Sequence, residues 1–198
     1  LKLESSVSYN RQEQVAPTQI GSVLTSTLPM PGLPFEGLEG KPYAWGTWGS
    51  PAAKAELGGD NKLSVSAISL SETLNYTITD WLTANVNVGY NTSTAARNTT
   101  TKSIDFYMGD KRVLVEPTQA NSSYKQTSSR TDFYSMSGYL AANKTFQKHK
   151  LGLTLGAQYE FKEYTYFGVS VKDAQDGLEI VNGSGEVTLS GDEDKYQY

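Results

Sequence analysis

Acidic side chains could supply general acid–base chemistry in this 198-residue chain, but only as pairs held at a fixed separation. The acids between the patterned segments share no such spacing, and they are Asp105, Asp110, Glu116, Asp173, Asp176 and Glu179. The single histidine, His149, lies between two lysines in a predicted tight turn, and cysteine is absent. A multi-histidine metal site, a zinc cluster and a thiol nucleophile are therefore excluded. We expect no catalytic residue, no metal or other cofactor, and no enzyme activity.

Aromatic side chains in a polar, Gly-rich stretch are the stronger candidates for a binding site. Tyr43, Trp45 and Trp48 have no apolar neighbours along the chain to bury them. Such rings can stack on a sugar or a peptide. Alternatively they fold their loop back onto the protein beneath it, which is the favoured interpretation. Polar groups near Asn121 and Tyr124, in another predicted loop, are the next candidates for contact with a ligand.

A short helix is predicted immediately after these aromatic residues. Ser50 suits the N-cap, Pro51 the first helical position, and Gly58 the end of the helix. The preceding stretch from Leu28 to Phe35 contains three prolines within six residues, which forbids a helix or a central strand there.

The elements that must position these loops are β-strands. Apolar and polar residues alternate with period two in five segments, as expected of strands that present one face to an apolar environment. These segments cover about 1–10, 62–78, 82–93, 132–146 and 150–171. Within 62–78 the alternation changes phase near Ala67 and Ile68, which predicts a β-bulge there.

The apolar faces of these strands could contact either a protein core or lipid, because alternation alone is equally compatible with both. On the lipid interpretation, one strand presents Leu82, Ala84, Val86, Val88 and Tyr90, and another presents Leu151, Leu153, Leu155, Ala157 and Tyr159. The intervening polar residues would then line a wet interior.

The connections between strands distinguish the two interpretations. Tight turns at 79–81 and 147–149 alternate with long connections at about 11–61, 94–131 and 172–198. In an up-and-down antiparallel sheet, all the short turns then lie at one end and all the long loops at the other. Outer-membrane barrels have this asymmetry, with short periplasmic turns and long extracellular loops. Trp81 and Phe146 would belong to the aromatic girdle at the periplasmic end.

Composition limits the other classes of protein. The net charge of −4 argues against a nucleic-acid partner, which would require clustered Lys and Arg. No apolar run approaches the ~18 residues of a membrane-spanning helix. The sequence does not begin with Met, and we expect it to be a segment of a longer protein.

Three stretches resemble the barrel of SusC/RagA-type TonB-dependent transporters. The run LNYTITDWL at 74–82 resembles a strand and periplasmic turn of that family. The hairpin YLAANKTFQKHKLGLTLGAQYE at 139–160 resembles another of its hairpins. Leu28-Pro-Met-Pro and Pro42-Tyr-Ala-Trp are similar to its Pro-rich outer loop. The similarity follows the same order over most of the chain.

The resemblance implies an all-β fold: an antiparallel, up-and-down transmembrane β-barrel segment of about five strands with long extracellular loops. The complete barrel would have 22 strands and a plug domain, which has no counterpart here. It also implies the outer membrane of a Bacteroidetes-type bacterium and uptake of glycans or peptides. The implied partners are the lipid bilayer, the rest of the barrel and its plug, TonB acting through the plug, and a SusD-like surface lipoprotein. The oligosaccharide or peptide would be the substrate.

A second class of protein stays open on the residues alone. A secreted or surface β-sandwich, such as a glycan-binding or adhesin module, would pack the same alternating strands on an internal core. Its aromatic loops would then hold the glycan.

Overall fold

The computed structural model describes residues 1–19, 21, 24, 34, 36–37, 40–45, 48–113, 122–174 and 185–197. Several residues considered above lie outside these ranges, namely Glu116, Asn121, Asp176, Glu179 and most of the Pro-rich stretch at 28–35.

Long strands joined by turns and loops make up most of the described chain. The elements are β1 (Lys2–Pro17), β2 (Ala44–Trp45), β3 (Trp48–Gly49), α1 (Pro51–Leu57), β4 (Asp60–Thr79), β5 (Leu82–Thr101), β6 (Phe106–Met108), β7 (Lys111–Val113), β8 (Ser123–Phe146), β9 (His149–Lys172) and β10 (Val187–Gln197).

Six of the described strands form one antiparallel sheet in the order β1-β4-β5-β8-β9-β10. The all-β antiparallel class and all five predicted strands are confirmed. Two-residue turns join β4 to β5 and β8 to β9, whereas long connections join the other neighbours. The short turns therefore share one end of the sheet and the long connections share the other, which we call the turn end and the loop end.

Strand lengths were underestimated from the sequence, and one strand was missed. β5 continues to Thr101 and β8 begins at Ser123, inside the predicted loop 94–131. The prediction of a loop over 172–198 was wrong, because β10 pairs with β9 there. These additions are rich in Ser, Thr and charged residues, so they lack apolar alternation. Their backbone ladder nevertheless continues, and threonine suits a strand well.

The bulge predicted near Ala67 was also wrong. β4 keeps its register against β1 and β5 through that region, and the irregularity lies instead between Thr77 and Thr79, next to the tight turn. The apparent phase change arises because Leu63 and Val65 belong to the opposite face of the sheet from Leu70 and the apolar residues after it.

Direct cross-strand partners in an antiparallel sheet point to the same face. The register aligns Leu3, Leu74, Val86, Gly138 and Ala157 in one row. A second row, closer to the loop end, contains Val7, Leu70, Tyr90, Tyr134 and Phe161. All ten residues predicted to face lipid lie on this side of the sheet, which we call the apolar face. The other side is the polar face.

Described residues of two connections at the loop end, β1–β4 and β5–β8, build a small separate core. Ala44, Ala53, Ile104 and Phe106 are buried together, with Val113 packed against them. We call this group the loop cluster. The predicted helix is confirmed within it: the Ser50 hydroxyl accepts a hydrogen bond from the Ala53 N–H at 3.3 Å, and Gly58 caps the other end.

Gly59 joins the loop cluster to the sheet in a conformation that favours glycine. Its φ is +98°, and a Cβ there would lie 2.1 Å from the carbonyl oxygen of Thr100. Around it, the Thr18 N–H donates to the Gly59 carbonyl at 2.9 Å, and the Lys102 N–H donates to the Gly58 carbonyl at 3.1 Å. β1, β4 and β5 are thus tied together at this point.

We predict that Gly59→Ala destabilises the protein by about 1–3 kcal/mol, because the methyl group adds a backbone clash to an unfavourable φ. Urea unfolding measures the change. Gly109→Ala is the matched control: its φ is +65°, but a Cβ there would have no neighbour within 4 Å. A smaller effect is expected for it, and equal effects would contradict the role of the clash.

Candidate functional site

The apolar face carries a band of apolar residues whose height can be compared with that of a membrane. The band is continuous on β9, but Ser5 and Glu72 interrupt it where β1 pairs with β4. On β9 it runs from Leu151 to Phe161, which spans ten residue steps. At about 3.4 Å per residue and a strand tilt of about 40°, the band is about 26 Å tall. That height matches the ~25 Å apolar belt of outer-membrane barrels. Large side chains in the band are exposed, for example Leu153 at 72%.

Aromatic rings lie at the loop end of the band. The rings of Tyr90 and Tyr134 are 4.7 Å apart between centroids, and those of Tyr134 and Phe161 are 6.1 Å apart. The Tyr90 hydroxyl donates to Asp132 Oδ1 at 2.7 Å. Tyr90 therefore has its ring in the apolar band and its hydroxyl among charged groups, the arrangement that tyrosine favours at a membrane–water interface.

A charged belt begins one row beyond those rings on the same face. Its first row aligns Asp132, Glu163 and Lys195, and Arg130 follows. Lys195 Nζ lies 3.2 Å from Glu163 Oε1. Arg130 holds Asp132 with two nitrogens, Nε at 2.7 Å from Oδ2 and a terminal nitrogen at 3.0 Å from Oδ1. On β8, β9 and β10 the face therefore changes from apolar to charged within a single row, whereas the same row on β4 and β1 contains Ile68 and Tyr9.

Asp132 lies in the charged belt, beyond the apolar band, and its surroundings shift the pKa of its carboxyl group. Burial alone raises the pKa of its carboxyl group. Hydrogen bonds from Arg130, Tyr90 and Thr92 outweigh the burial, so the pKa of Asp132 is lower than its ordinary value. Asp132 therefore stays ionised and paired at neutral pH.

A second aromatic group lies at the turn end of the band. Lys144 Nζ is 5.3 Å from the centroid of the Trp81 ring and 5.2 Å from that of Phe146. The structure thus brings together the two residues assigned to the periplasmic girdle and places a cation between them. Both distances are within the range of cation–π contacts, and Lys144 is exposed, so a charge and two aromatic rings meet at this end of the band.

The polar face has a different chemistry over the same height. Asn85 pairs directly with Asn75, and their side-chain amides are hydrogen-bonded. The Asn87 amide donates to the Thr73 hydroxyl at 2.8 Å. Such a surface suits contact with water, so the two sides of the sheet favour two different environments.

The candidate ligand contacts divide between exposed and buried positions. Trp45 and Trp48 are cross-strand partners in the β2–β3 hairpin and remain 56% and 40% exposed. Tyr43 is half-buried and bridges to Tyr107 beside the loop cluster. Tyr124 is only 1% exposed and packs with Val171 and Ala174, so its ring is not available for stacking in this structure. Asn121 lies outside the described residues.

Sequence reasoning missed the charged belt and the loop cluster. Arg130, Asp132 and Tyr90 meet through pairing between β5 and β8, and Tyr90 is far from the other two along the chain. The alternation of Arg130 and Asp132 with Thr131 was the available signal, since it places both charges on one face of a strand.

Comparison with known proteins adds no identity: no family model and no curated protein matches this chain. Within the described part of the chain, no helix has the length and apolar character needed to cross a membrane.

We predict that Asp132→Asn lowers the free energy of unfolding by about 1.5–3 kcal/mol at pH 7, because the charge-assisted hydrogen bonds from Arg130 are weakened. The folded-state pKa of Asp132 is depressed, so its stabilisation is present above the unfolded value of ~3.9 and is lost as the pH falls through the folded value. Urea unfolding from pH 7 to pH 3 should show the difference from wild type shrinking at the acid end. Asp194→Asn, at an exposed position of β10, is the control and should have little effect.

Proposed function

We propose that this chain forms part of the barrel wall and outer loops of a TonB-dependent outer-membrane importer of glycans or peptides. In this proposal the sheet is a segment of a closed barrel, with its apolar face against lipid and its polar face toward the lumen. The loop end is extracellular and the turn end periplasmic. β1 and β10, at the two edges of the sheet, pair with further strands of the barrel, because an open edge is not tolerated in the bilayer.

The observation that carries this proposal is the exposed apolar band, bounded by aromatic residues at both ends. The chain exposes 13282 Å² for a mass of 21.6 kDa, whereas a compact monomer of that mass exposes about 9,200 Å². The difference agrees with a sheet that buries little of its own surface. An apolar face of this size requires a partner phase, and lipid fits a band ~26 Å tall.

The loop end supports a role in handling substrate. Described parts of two of its connections fold into a packed cluster, so these parts form a defined surface above the wall. Trp45 and Trp48 present exposed rings on that surface, and exposed rings suit stacking on sugars. We assign to this surface the contact with a SusD-like lipoprotein and its oligosaccharide or peptide cargo. TonB would act through a plug outside these residues.

The alternative, a secreted β-sandwich with a glycan-binding or adhesin role, requires a second layer packed on the apolar face. Among the described residues the centre of that face is not covered: Leu155 is 71% exposed and Met136 is 55% exposed. The exposure favours the wall over the sandwich.

Leu153 and Thr154 provide a direct test, because they are adjacent on β9 and point to opposite faces. The chain contains no cysteine, so Leu153→Cys and Thr154→Cys each add one thiol to this segment. In the full-length protein reconstituted in lipid vesicles, we expect a fluorophore at position 153 to be quenched by brominated lipid. A fluorophore at position 154 should be quenched by iodide from the aqueous phase.

The opposite result has two parts: iodide alone quenches the fluorophores at both positions, and the protein stays folded and monomeric without detergent. That result would rule out the barrel wall in favour of a soluble domain. A protein that merely requires detergent to stay in solution is weaker support for the barrel wall than the quenching results. The decisive result is the contrast between two neighbouring residues.

A further inference from the structure

A groove crosses the polar face of the sheet between the apolar band and the loop end. It encloses about 510 Å³, and its lining includes Arg97, Lys125, Thr127, Tyr164 and Tyr166. Lys125 is nine residues from Tyr134 along β8, so the groove lies beyond the height of the band. In the proposed barrel it would open into the outer vestibule, where a substrate arrives first.

The groove carries two positive charges that the described residues do not neutralise. Arg97 and Thr127 are direct partners across β5 and β8, as are Thr99 and Lys125, so the two cations are diagonal neighbours on one face. Both side chains are exposed, and neither forms an ion pair with a described residue. The charged belt on the apolar face, in contrast, is internally paired. Two adjacent unpaired cations form a site for an anionic group.

The remaining lining suits a polyhydroxylated molecule. Thr99, Thr127, Ser129 and the two tyrosines provide hydroxyl groups that can donate or accept hydrogen bonds. The tyrosine rings and the side chains of Leu63 and Ala95 add apolar surface. This combination of rings, hydroxyls and a few charged groups is typical of a small-molecule site, and the volume falls within the usual ~300–1,000 Å³.

Gly168 keeps one side of the groove open. It lies directly opposite Thr127, and a Cβ at this position would be 2.7 Å from the Tyr166 hydroxyl. A Cβ would also be 2.6 Å from the Ser190 hydroxyl, so a larger residue would displace the end of the Ser190 or the Tyr166 side chain, and Tyr166 lines the groove.

Acidic groups are nearby on the polar face but are not part of the groove. Asp192 and Asp194 of β10 lie opposite Tyr166 and Tyr164, respectively. β10 is three strands away from Arg97 and two from Lys125, about 14 Å and about 10 Å across the sheet, and both distances exceed the Debye length of ~8 Å at physiological ionic strength. These carboxylates border the groove on one side without cancelling its positive charge.

We propose that this groove is a binding site for an acidic oligosaccharide, one whose sugar rings carry carboxylate, sulfate or phosphate groups. Arg97 and Lys125 bind the anionic groups, and the hydroxyls and tyrosine rings bind the sugar. The inference rests on the proposed function only in placing the groove in the vestibule of an importer. Within that function it specifies a charged class of substrate.

The test is titration calorimetry of the intact protein in detergent with tri-galacturonic acid as the probe. We expect saturable binding that weakens about tenfold in Arg97→Gln, about tenfold in Lys125→Gln and further in the double variant, as for loss of charge-assisted hydrogen bonds. Arg11→Gln is the matched control, since it removes the same charge from the apolar face of the same sheet. Binding by this variant should match wild type.

Three further titrations make the proposal falsifiable. Equal affinity for the neutral methyl ester of the probe would overturn the role of the cations. If the protein binds tri-glutamate but not tri-galacturonate, the claim that the ligand is a carbohydrate is rejected. Unchanged affinity in the double variant, with its circular dichroism intact, would overturn the site. Lipid quenching at position 153, measured on the labelled Leu153→Cys protein in vesicles, reports the proposed function separately.

Discussion

In an antiparallel ladder, a slip of one residue moves every apolar side chain of a strand to the opposite face. The described sheet keeps one register from β1 to β9 over long strands, with a single irregularity beside a tight turn. The apolar band, the aromatic rows and the paired amides of the polar face all depend on that register. If β5 slipped by one residue, Tyr90 would leave the band and Asn91 would enter it.

A single layer with two unlike faces requires two unlike surroundings. From β8 to β10 the apolar face changes to charge within one row, and the hydroxyl of Tyr90 meets Asp132 and Arg130 there. At the other end Lys144 lies between Trp81 and Phe146. In each case an amphipathic side chain spans a boundary between an apolar zone and a wet one. The two boundaries are about one hydrocarbon thickness apart, which supports the proposed contact of this face with lipid.

Local signals in the sequence were sufficient for the strands with apolar alternation, for the tight turns and for the helix that begins after Ser50. Features made by distant partners could not be predicted. β10 was interpreted as part of a loop because it lacks apolar alternation, yet Lys195 of that strand lies across from Glu163 of β9. The burial of Phe106 against Ala44 and Ala53 joins two separate connections. The burial of Tyr124, which was predicted to lie in a loop, also depends on distant partners, because the groups that bury it lie about 50 residues away.

The alternation of short and long connections also has a consequence for the order of folding. In the β4–β5 and β8–β9 hairpins, pairing begins between residues only three apart, Thr79 with Leu82 and Phe146 with His149. Pairing of β1 with β4 begins at Pro17 and Asp60, which are 43 residues apart. Closing the longer loop costs more chain entropy, so local hairpins form first and β1 docks onto them later. The hydrogen bonds around Gly59 connect β1, β4 and β5, so they form after β1 has docked.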